Sequence, residues 1–177
     1  LVPDAYDIAV FDATSNKNVY SNSDQSVYDL IITSEYTGEV QFNGELTITN
    51  DFQMSGGELD VRTIIINGDT LVTGGKYIEW SDFYTRGDVT ISGLDQALNT
   101  ALHIGKGESE ASVIDGDFEA VNVIFEETGH EYQVNGVITI TDNEGQYWGP
   151  QLINNGLVSI NDGGMIDISM CRDYFND

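Results

Sequence analysis

The sequence is poor in several residue types, and each scarcity limits what the protein can be. Only one of its 177 residues is a cysteine, so no disulfide can form within the chain. Proline occurs only twice, at Pro3 and Pro150. No apolar run approaches the roughly 18–20 residues that a membrane-spanning helix needs. We therefore expect neither a disulfide-stapled scaffold nor a protein inserted in a membrane.

Basic residues are also scarce. Six lysines and arginines face thirty aspartates and glutamates, which gives a formal net charge of −24. So few cations cannot build the basic surface that phosphates require, and nucleic acid is therefore not an expected partner. The charge would equally repel anionic membranes and acidic polysaccharides. Two interpretations stay open: the acidity serves solubility alone, or some of the carboxylates bind divalent cations.

A five-residue unit recurs along the chain, made of glycine, a free position, an aliphatic, a polar residue, and isoleucine or valine. Its copies begin at Gly44, Gly57, Gly87, Gly136, Gly156 and Gly164. Glycine suits a tight corner, and the alternation that follows is typical of a strand with one buried face. The unit therefore predicts short strands that each follow a corner.

The alternation also predicts which side chains are buried. The inward pairs are Leu46/Ile48, Leu59/Val61, Val89/Ile91, Ile138/Ile140, Val158/Ile160 and Ile166/Ile168. The residues between them are expected to point outward: Thr47, Asp60, Thr90, Thr139, Ser159 and Asp167. Successive copies lie 13, 30, 49, 20 and 8 residues apart. Such irregular spacing excludes a fixed-period repeat but allows an irregular solenoid interrupted by loops.

Two Asn-Gly dipeptides stand between predicted strands, and each could form either a hairpin or a corner that passes the chain onward. Asn-Gly commonly forms a two-residue hairpin, but that turn would place Phe42 opposite Glu45. At Asn135-Gly136 it would likewise place Tyr132 opposite Thr139. A corner that passes the chain onward avoids these mismatches of apolar and polar faces. This favours a solenoid over a meander.

The sequence therefore predicts an all-β protein, with an irregular parallel β-solenoid as the preferred architecture and a β-sandwich or jelly roll as the alternative. The pattern resembles the irregular right-handed parallel β-helices of secreted and surface proteins, over roughly residues 27–170. One exception is expected: Leu94, Leu98 and Leu102 recur every four residues and predict a short helix or irregular excursion over Leu94–Leu102.

The N-terminal region reads as an extended strand followed by a polar joint. In residues 1–13, Tyr6, Ile8 and Val10 share one face, and Phe11 lies on the other. Thr14–Ser26 is polar and predicts a loop, so we divide the chain into residues 1–26 and a single all-β domain over 27–177. The segment is either an ordinary first strand or an arm that completes a neighbouring subunit's sheet. In the second case Tyr6, Ile8, Val10 and Phe11 form the assembly surface.

A search for catalytic residues yields little. The single Cys171 lies in an acidic tail, which raises rather than lowers a thiol pKa. The compact pair Asp115 and Asp117 could serve as the two carboxylates of a glycosidase, but a turn with solvated acids is the preferred interpretation. The scattered lysines and arginines provide no cluster for binding uronates, as a polysaccharide lyase of the β-helix type would need. We therefore expect a protein that is not an enzyme.

Calcium is the candidate cofactor, because hard cations take several oxygen ligands from loops. The candidate ligands are Asp51, Asp115, Asp117, Asp142, Glu144 and Asp162. Polar corner residues without a metal are the alternative interpretation. The candidate ligand-binding aromatics are Trp80 and Trp148, which could stack on a glycan or fill the core.

These features predict an exported structural subunit that assembles with copies of itself into an extracellular filament, surface layer or virion-surface structure. The start at Leu1 fits a mature chain whose leader has been removed. The expected location is therefore extracellular or at the cell surface. The alternatives are a monomeric module that binds a glycan or a protein, and a polysaccharide-active β-helix enzyme.

Overall fold

The fold is built from short strands, as a computed structural model of the chain shows. The structure describes residues 4–15, 17–79, 83–92, 98–105, 111–125, 131–140, 151–154, 157–160 and 165–167. Within these ranges the chain forms strands, turns and bends, and no helix.

The strands are numbered in the order of the chain. They are β1 Ile8–Phe11, β2 Val19–Ser21, β3 Gln25–Val27, β4 Asp29–Ile32, β5 Glu39–Ile48, β6 Phe52–Met54, β7 Glu58–Ile66, β8 Thr70–Val72, β9 Lys76–Glu79, β10 Phe83–Thr85, β11 Val89–Ile91, β12 Leu98–Ile104, β13 Ala111–Asp115, β14 Phe118–Phe125, β15 Glu131–Val134, β16 Val137–Ile140, β17 Gln151–Asn154, β18 Leu157–Ile160 and β19 Met165–Asp167.

Two parallel sheets share these strands. One has eight strands in the order β1-β4-β6-β8-β11-β13-β15-β18, and the other runs β19-β16-β14-β12-β10-β7-β5-β2, with β3, β9 and β17 paired beside it. All pairings between the described strands are parallel. The chain therefore visits one sheet and then the other in successive coils. This confirms the β-solenoid and excludes the sandwich, whose strands would pair chiefly antiparallel.

The core lies between the sheets, where the predicted inward residues meet. Leu46, Ile48, Leu59, Val61, Val89, Ile91 and Ile138 are buried, and Val158 and Ile166 are partly buried against them. The side chains of Ile140, Ile160 and Ile168 lie outside the described part of the chain. Burying an aliphatic side chain contributes roughly 1.5–3 kcal/mol. A column of such residues therefore stabilises the stack coil by coil.

The first Asn-Gly dipeptide lies inside the long strand β5 and makes a bulge. The parallel pairing of β5 with β7 continues on both sides of it, with a register shift between Phe42 and Glu45. Phe42 and Leu46 are both buried, so the strand keeps its apolar face inward across the dipeptide. The prediction that Asn43-Gly44 is not a hairpin is confirmed.

The second dipeptide, Asn135-Gly136, carries the chain from β15 in one sheet to β16 in the other. The Asn135 N–H donates to the Ile114 carbonyl of the preceding coil at 2.9 Å. A Cβ added at Gly136 would lie 1.8 Å from the carbonyl oxygen of Gly116. Two coils therefore touch at this corner through backbone alone, and only glycine fits.

The prediction of a helix over Leu94–Leu102 is wrong for its described part. Leu98–Ile104 is strand β12, paired in parallel with β10 and β14. Leu102 and Ile104 are fully buried. A spacing of four is a multiple of the strand period of two, so leucines every fourth residue fit a strand as well as a helix. Residues 94–97 lie outside the described ranges.

The prediction of a polar loop over Thr14–Ser26 is also wrong in part. Strand β2 and the start of β3 lie inside this segment and pair with β5. Strand β1 pairs with β4, in the register Ile8 with Asp29 and Phe11 with Ile32. Residues 4–15 and 17–27 thus belong to the first coil of the solenoid. The three-residue strands β2 (Val-Tyr-Ser) and β3 (Gln-Ser-Val) escape a search for apolar alternation, because each contributes only one valine.

One outward residue is less exposed than expected. Asp60 retains only 7% of its accessible surface. The Gln41 Nε2 in the preceding coil donates to the Asp60 Oδ2 at 2.8 Å. This hydrogen bond offsets part of the cost of withdrawing a carboxylate from water. The side chain follows the predicted alternation, but neighbouring coils cover it.

Replacing Gly136 with alanine should destabilise the solenoid. The added methyl group cannot coexist with the Gly116 carbonyl, so the two coils must separate locally. We expect a loss of more than about 1 kcal/mol in the free energy of unfolding, measured by urea denaturation. The control is Thr139→Ala in the strand that follows, where the outward side chain is half-buried. Equal stability of the Gly136→Ala variant and the wild type would contradict this close approach.

Candidate functional site

A column of aspartates runs along one corner of the solenoid, at the start of the strands of the eight-stranded sheet. Asp29, Asp51, Asp69 and Asp88 occupy the same position in four successive coils. Each stands immediately before a buried residue or at the first residue of a strand. We call this set the aspartate column. Strands in a sheet lie about 4.8 Å apart, so four like charges are stacked closely.

Each carboxylate in the column accepts a hydrogen bond from the backbone of the next coil. The Oδ1 atoms of Asp29, Asp51 and Asp69 accept from the N–H of the following aspartate at 3.0, 2.9 and 2.9 Å. Asp88 accepts from the Val113 N–H at 3.1 Å and ends the series. At these corners the side chains thus bind backbone donors of the neighbouring coil. Charge-assisted bonds of this kind are among the stronger ones in proteins.

The sequence carries a signal for this column that the search for cation ligands missed. The dipeptides Asn50-Asp51, Gly68-Asp69 and Gly87-Asp88 each precede a buried residue. The spacings along the column are 22, 18 and 19 residues. A Cβ added at Gly68 or Gly87 would lie 2.4 or 2.5 Å from the carboxylate of the preceding aspartate. The glycines before Asp69 and Asp88 therefore make room for the bond from the preceding carboxylate.

Two of the predicted calcium ligands have a structural role of this kind. Asp51 belongs to the aspartate column, and the exposed Asp117 accepts a hydrogen bond from the Val137 N–H at 2.8 Å through its Oδ1. Asp115 ends strand β13, and its side chain is outside the described part. Asp142, Glu144 and Asp162 also lie outside it. Among the described residues, no group of three or more histidine, cysteine, aspartate or glutamate side chains converges as a metal site would require.

A second feature of the same sheet is its first strand, β1. It has a neighbour on one side, β4, and stands at the end of the described sheet. Ala9 and Phe11 pack against the core, whereas Tyr6, Ile8 and Val10 are 89%, 55% and 48% exposed. The two predicted faces of this strand are therefore present. The strand contains no charged residue, no proline and no bulge, which are the usual means of blocking an edge.

The turn after β1 holds an aspartate in its ionised form. The Thr14 hydroxyl and the Thr14 N–H both donate to the Asp12 Oδ1, at 2.6 and 2.8 Å. These bonds, with that of the hydroxyl the largest cause, lower the pKa of the Asp12 carboxyl. Because the folded-state pKa is the lower one, the turn's stabilisation is present above the unfolded-state pKa. It is lost as the pH falls through the folded-state value.

A polar groove of about 570 Å³ lies at a different corner, over Gly38, Gly57 and Gly75. The Tyr36 ring is buried beneath it, and its hydroxyl donates to the carbonyls of Lys17 and Glu39 at 3.1 and 3.0 Å. Burial, followed by the charge of Glu39, raises the pKa of the Tyr36 phenol.

The rim of this groove carries charged side chains, and each of the three has a polar partner. Lys76 bonds to Glu58 at 3.2 Å, and Asn18 donates to the Glu39 carboxylate at the same distance. The groove is thus a shallow polar corner, whose glycines serve close packing and two left-handed backbone positions, Gly57 and Gly75.

The predicted ligand-binding aromatics, Trp80 and Trp148, both lie outside the described residues. No helix of the described chain has the length and apolar character needed to cross a membrane. Comparison of the sequence with protein-family models and with curated proteins, and of the structure with solved structures, found no match.

Replacing one member of the aspartate column separates its hydrogen bond from its charge. Asp69→Ala removes the acceptor for the Asp88 N–H and should cost about 0.5–1.5 kcal/mol of stability. Asp69→Asn keeps an oxygen acceptor and removes one of four stacked charges, so it should cost less than the alanine variant. Urea denaturation of both variants at low and high salt measures the difference. If Asp69→Ala is as stable as Asp69→Asn at both salt concentrations, the hydrogen bond does not contribute.

Proposed function

We propose that this protein is a structural subunit that assembles head to tail with copies of itself through the open end of its solenoid. The observation that carries the proposal is strand β1, an unblocked edge of four apolar residues at the end of a parallel sheet. Unblocked edges of this kind are templates for pairing with another chain. We include in the proposal an extracellular or cell-surface location, because the strand pattern resembles that of secreted and surface β-helices.

The backbone of β1 offers hydrogen-bonding groups on its open side. The carbonyls of Asp7 and Phe11 accept from the N–H groups of Tyr28 and Thr33 in the second coil, at 2.8 and 2.9 Å. In a parallel ladder, alternate residues direct their N–H and C=O groups to opposite sides. The polar groups of Ile8 and Val10 therefore face away from β4, where a further strand could pair with them.

The other partner surface is the opposite end of the same sheet. Strand β18 is the last described strand there and pairs on its inner side with β15, in the register Leu157 with Glu131 and Ile160 with Val134. A contact between β18 of one subunit and β1 of the next would join unlike surfaces. Such head-to-tail contacts generate filaments when the rotation between subunits does not close a ring.

Electrostatic repulsion between subunits would make the assembly depend on ionic strength. Subunits with a formal charge of −24 repel one another at low ionic strength. Screening shortens the reach of that repulsion from about 10 Å at 0.1 M salt to about 3 Å at 1 M. Assembly should therefore depend on salt, and calcium remains a candidate cofactor of it. The alternatives, a glycan- or protein-binding module and a polysaccharide-active enzyme, stay predictions without a supporting contact among the described residues.

A proline at position 10 should block assembly while leaving the fold intact. Val10→Pro removes a backbone donor that faces the open edge, and proline is tolerated on such edges. We expect the wild-type chain to form larger species at high salt and the variant to stay monomeric, as measured by light scattering. Circular dichroism and thermal unfolding should show little change.

The matched control is Ala9→Pro, which removes a donor on the side facing β4. This variant should lose stability, because it breaks the bonding between the first two coils. Removal of residues 1–13 should abolish assembly as well. A monomeric wild-type chain under all salt and calcium conditions would refute the proposal, and so would unimpaired assembly of Val10→Pro.

Calcium should promote assembly in one of two distinguishable ways. If loop carboxylates bind the ion, millimolar calcium should raise the midpoint of thermal unfolding or speed assembly beyond the effect of sodium chloride or magnesium at equal ionic strength. If screening alone acts, all three salts should give the same curve. Thermal unfolding and light scattering across matched ionic strengths, with EDTA as the calcium-free reference, decide between them. Equal curves would remove calcium from the proposal and leave the assembly itself untouched.

A further inference from the structure

The outer face of the eight-stranded sheet carries two parallel columns of different chemistry. One is the aspartate column, which is continued at its N-terminal end by Ile8, the register partner of Asp29. The other lies two residues further along each strand, and we call it the apolar column. Its members in successive coils are Val10, Ile31, Gln53, Leu71 and Thr90.

The alternation of burial places both columns on the same face. In β4, Asp29 and Ile31 are half-buried whereas Leu30 and Ile32 are buried. In the coil of β8, Asp69 and Leu71 are exposed on either side of the buried Thr70. Two residues of a strand span about 6.6 Å, so the acidic and apolar columns are close neighbours.

The apolar column exposes hydrophobic area that the fold does not use. Away from β1, Leu71 retains 41% of its accessible surface and Ile31 is half-buried, whereas Gln53 and Thr90 are the polar members of the column. Ile8 and Val10 in β1 retain 55% and 48%. Exposed apolar groups beside a row of like charges call for a partner with apolar groups beside a row of opposite charges. A second copy of this chain, at −24, offers no such complement.

The spacing of the columns selects the shape of the partner. Carboxylates recur every 4.8 Å or so along the solenoid, and an α-helix advances about 5.4 Å per turn. A helix lying along the columns would therefore present one lysine or arginine per turn to successive aspartates. Long basic side chains accommodate the small difference over four coils, while leucine-like residues on the adjacent stripe cover Ile31 and Leu71.

We infer that this face is a docking surface for a basic amphipathic helix of another protein. The aspartate column pairs with the cationic stripe of the helix, and the apolar column contacts the hydrophobic stripe of the helix. The free oxygen of each aspartate is the acceptor for the partner, since the Oδ1 atoms already accept backbone N–H groups. The aspartates, Ile31 and Leu71 lie in later coils than β1, so this part of the surface is distinct from the open edge that the head-to-tail contact would use.

A designed peptide tests the inference directly. The probe is a peptide of about 18 leucines and lysines patterned as an amphipathic helix, and the comparison is a scrambled peptide of the same composition and charge. We expect the patterned peptide to bind at 0.15 M salt at least about tenfold more tightly than the scrambled one, by fluorescence anisotropy. Equal binding of the two peptides would mean general attraction to a −24 protein and would overturn the inference.

Variants of the protein locate the binding. The double variant Asp51→Asn with Asp69→Asn keeps side-chain oxygens that can accept the backbone N–H groups but removes two charges. It should weaken binding of the patterned peptide about tenfold. The matched control is Glu35→Gln with Glu45→Gln, which removes two exposed charges outside the strands of this sheet and should weaken it less than about threefold. Leu71→Ser should weaken it about fivefold through lost apolar contact. An equal effect of the two charge pairs, or no effect of Leu71→Ser, would refute the docking surface.

Two further measurements keep this test separate from head-to-tail assembly. Val10→Pro should block assembly yet bind the patterned peptide within about twofold of the wild type, since the columns lose only one side chain. Conversely, Leu71→Ser should assemble normally. If Leu71→Ser instead abolishes self-association, the face is covered by a second copy of the chain and the inference of a basic helical partner is wrong.

Discussion

The whole structure depends on keeping successive coils in register, because the backbone bonds of a parallel sheet form only when each strand lies at the correct height and offset above the last. Within strands the ladder itself does this. At the corners the chain leaves the ladder, and its N–H groups need other acceptors. The aspartate column supplies them at one corner, where each carboxylate binds the backbone one coil away. Asp24 does the same for the Glu45 N–H at the bulge inside β5.

This use of aspartate has an electrostatic cost. Two exposed unit charges about 5 Å apart repel by roughly 1 kcal/mol in water. A charge-assisted hydrogen bond contributes a similar amount or somewhat more. Each member of the column therefore aligns two coils and at the same time adds to the repulsion between neighbouring carboxylates. Part of the acidity of this protein's surface therefore comes from the aspartates that bind the backbone of the next coil at its corners.

Much of the fold could be predicted from the sequence, because the glycine-led unit of alternating aliphatics indicates both where corners lie and which side chains are buried. The failures share a physical reason. Leu98 and Leu102 are spaced four apart, which suits both periods, so only the neighbouring coils decide for a strand. Asp60 alternates as expected, but its burial depends on what covers it. Both outcomes are set by residues one coil away, some twenty positions along the chain.

The functional surfaces were harder to predict for the same reason. Asp51 and Asp117 carry the oxygens that a cation prefers, and no local pattern distinguishes a metal ligand from an acceptor for the next coil's backbone. The column becomes visible only after the coils are aligned, because its spacings of 22, 18, 19 and 25 residues follow no period. By contrast, the exposed and buried faces of β1 follow directly from alternation.

The unequal spacing of the column has a consequence for how such a chain can change. The segment from Asp51 to Gly68 begins and ends at equivalent corners, as does the segment from Asp69 to Gly87, so each is a module of one coil. Duplicating or deleting a whole module preserves every contact between neighbours except at the seam. Each added or removed coil therefore changes the length of the solenoid by about 4.8 Å. Its length can vary without redesign of its cross-section.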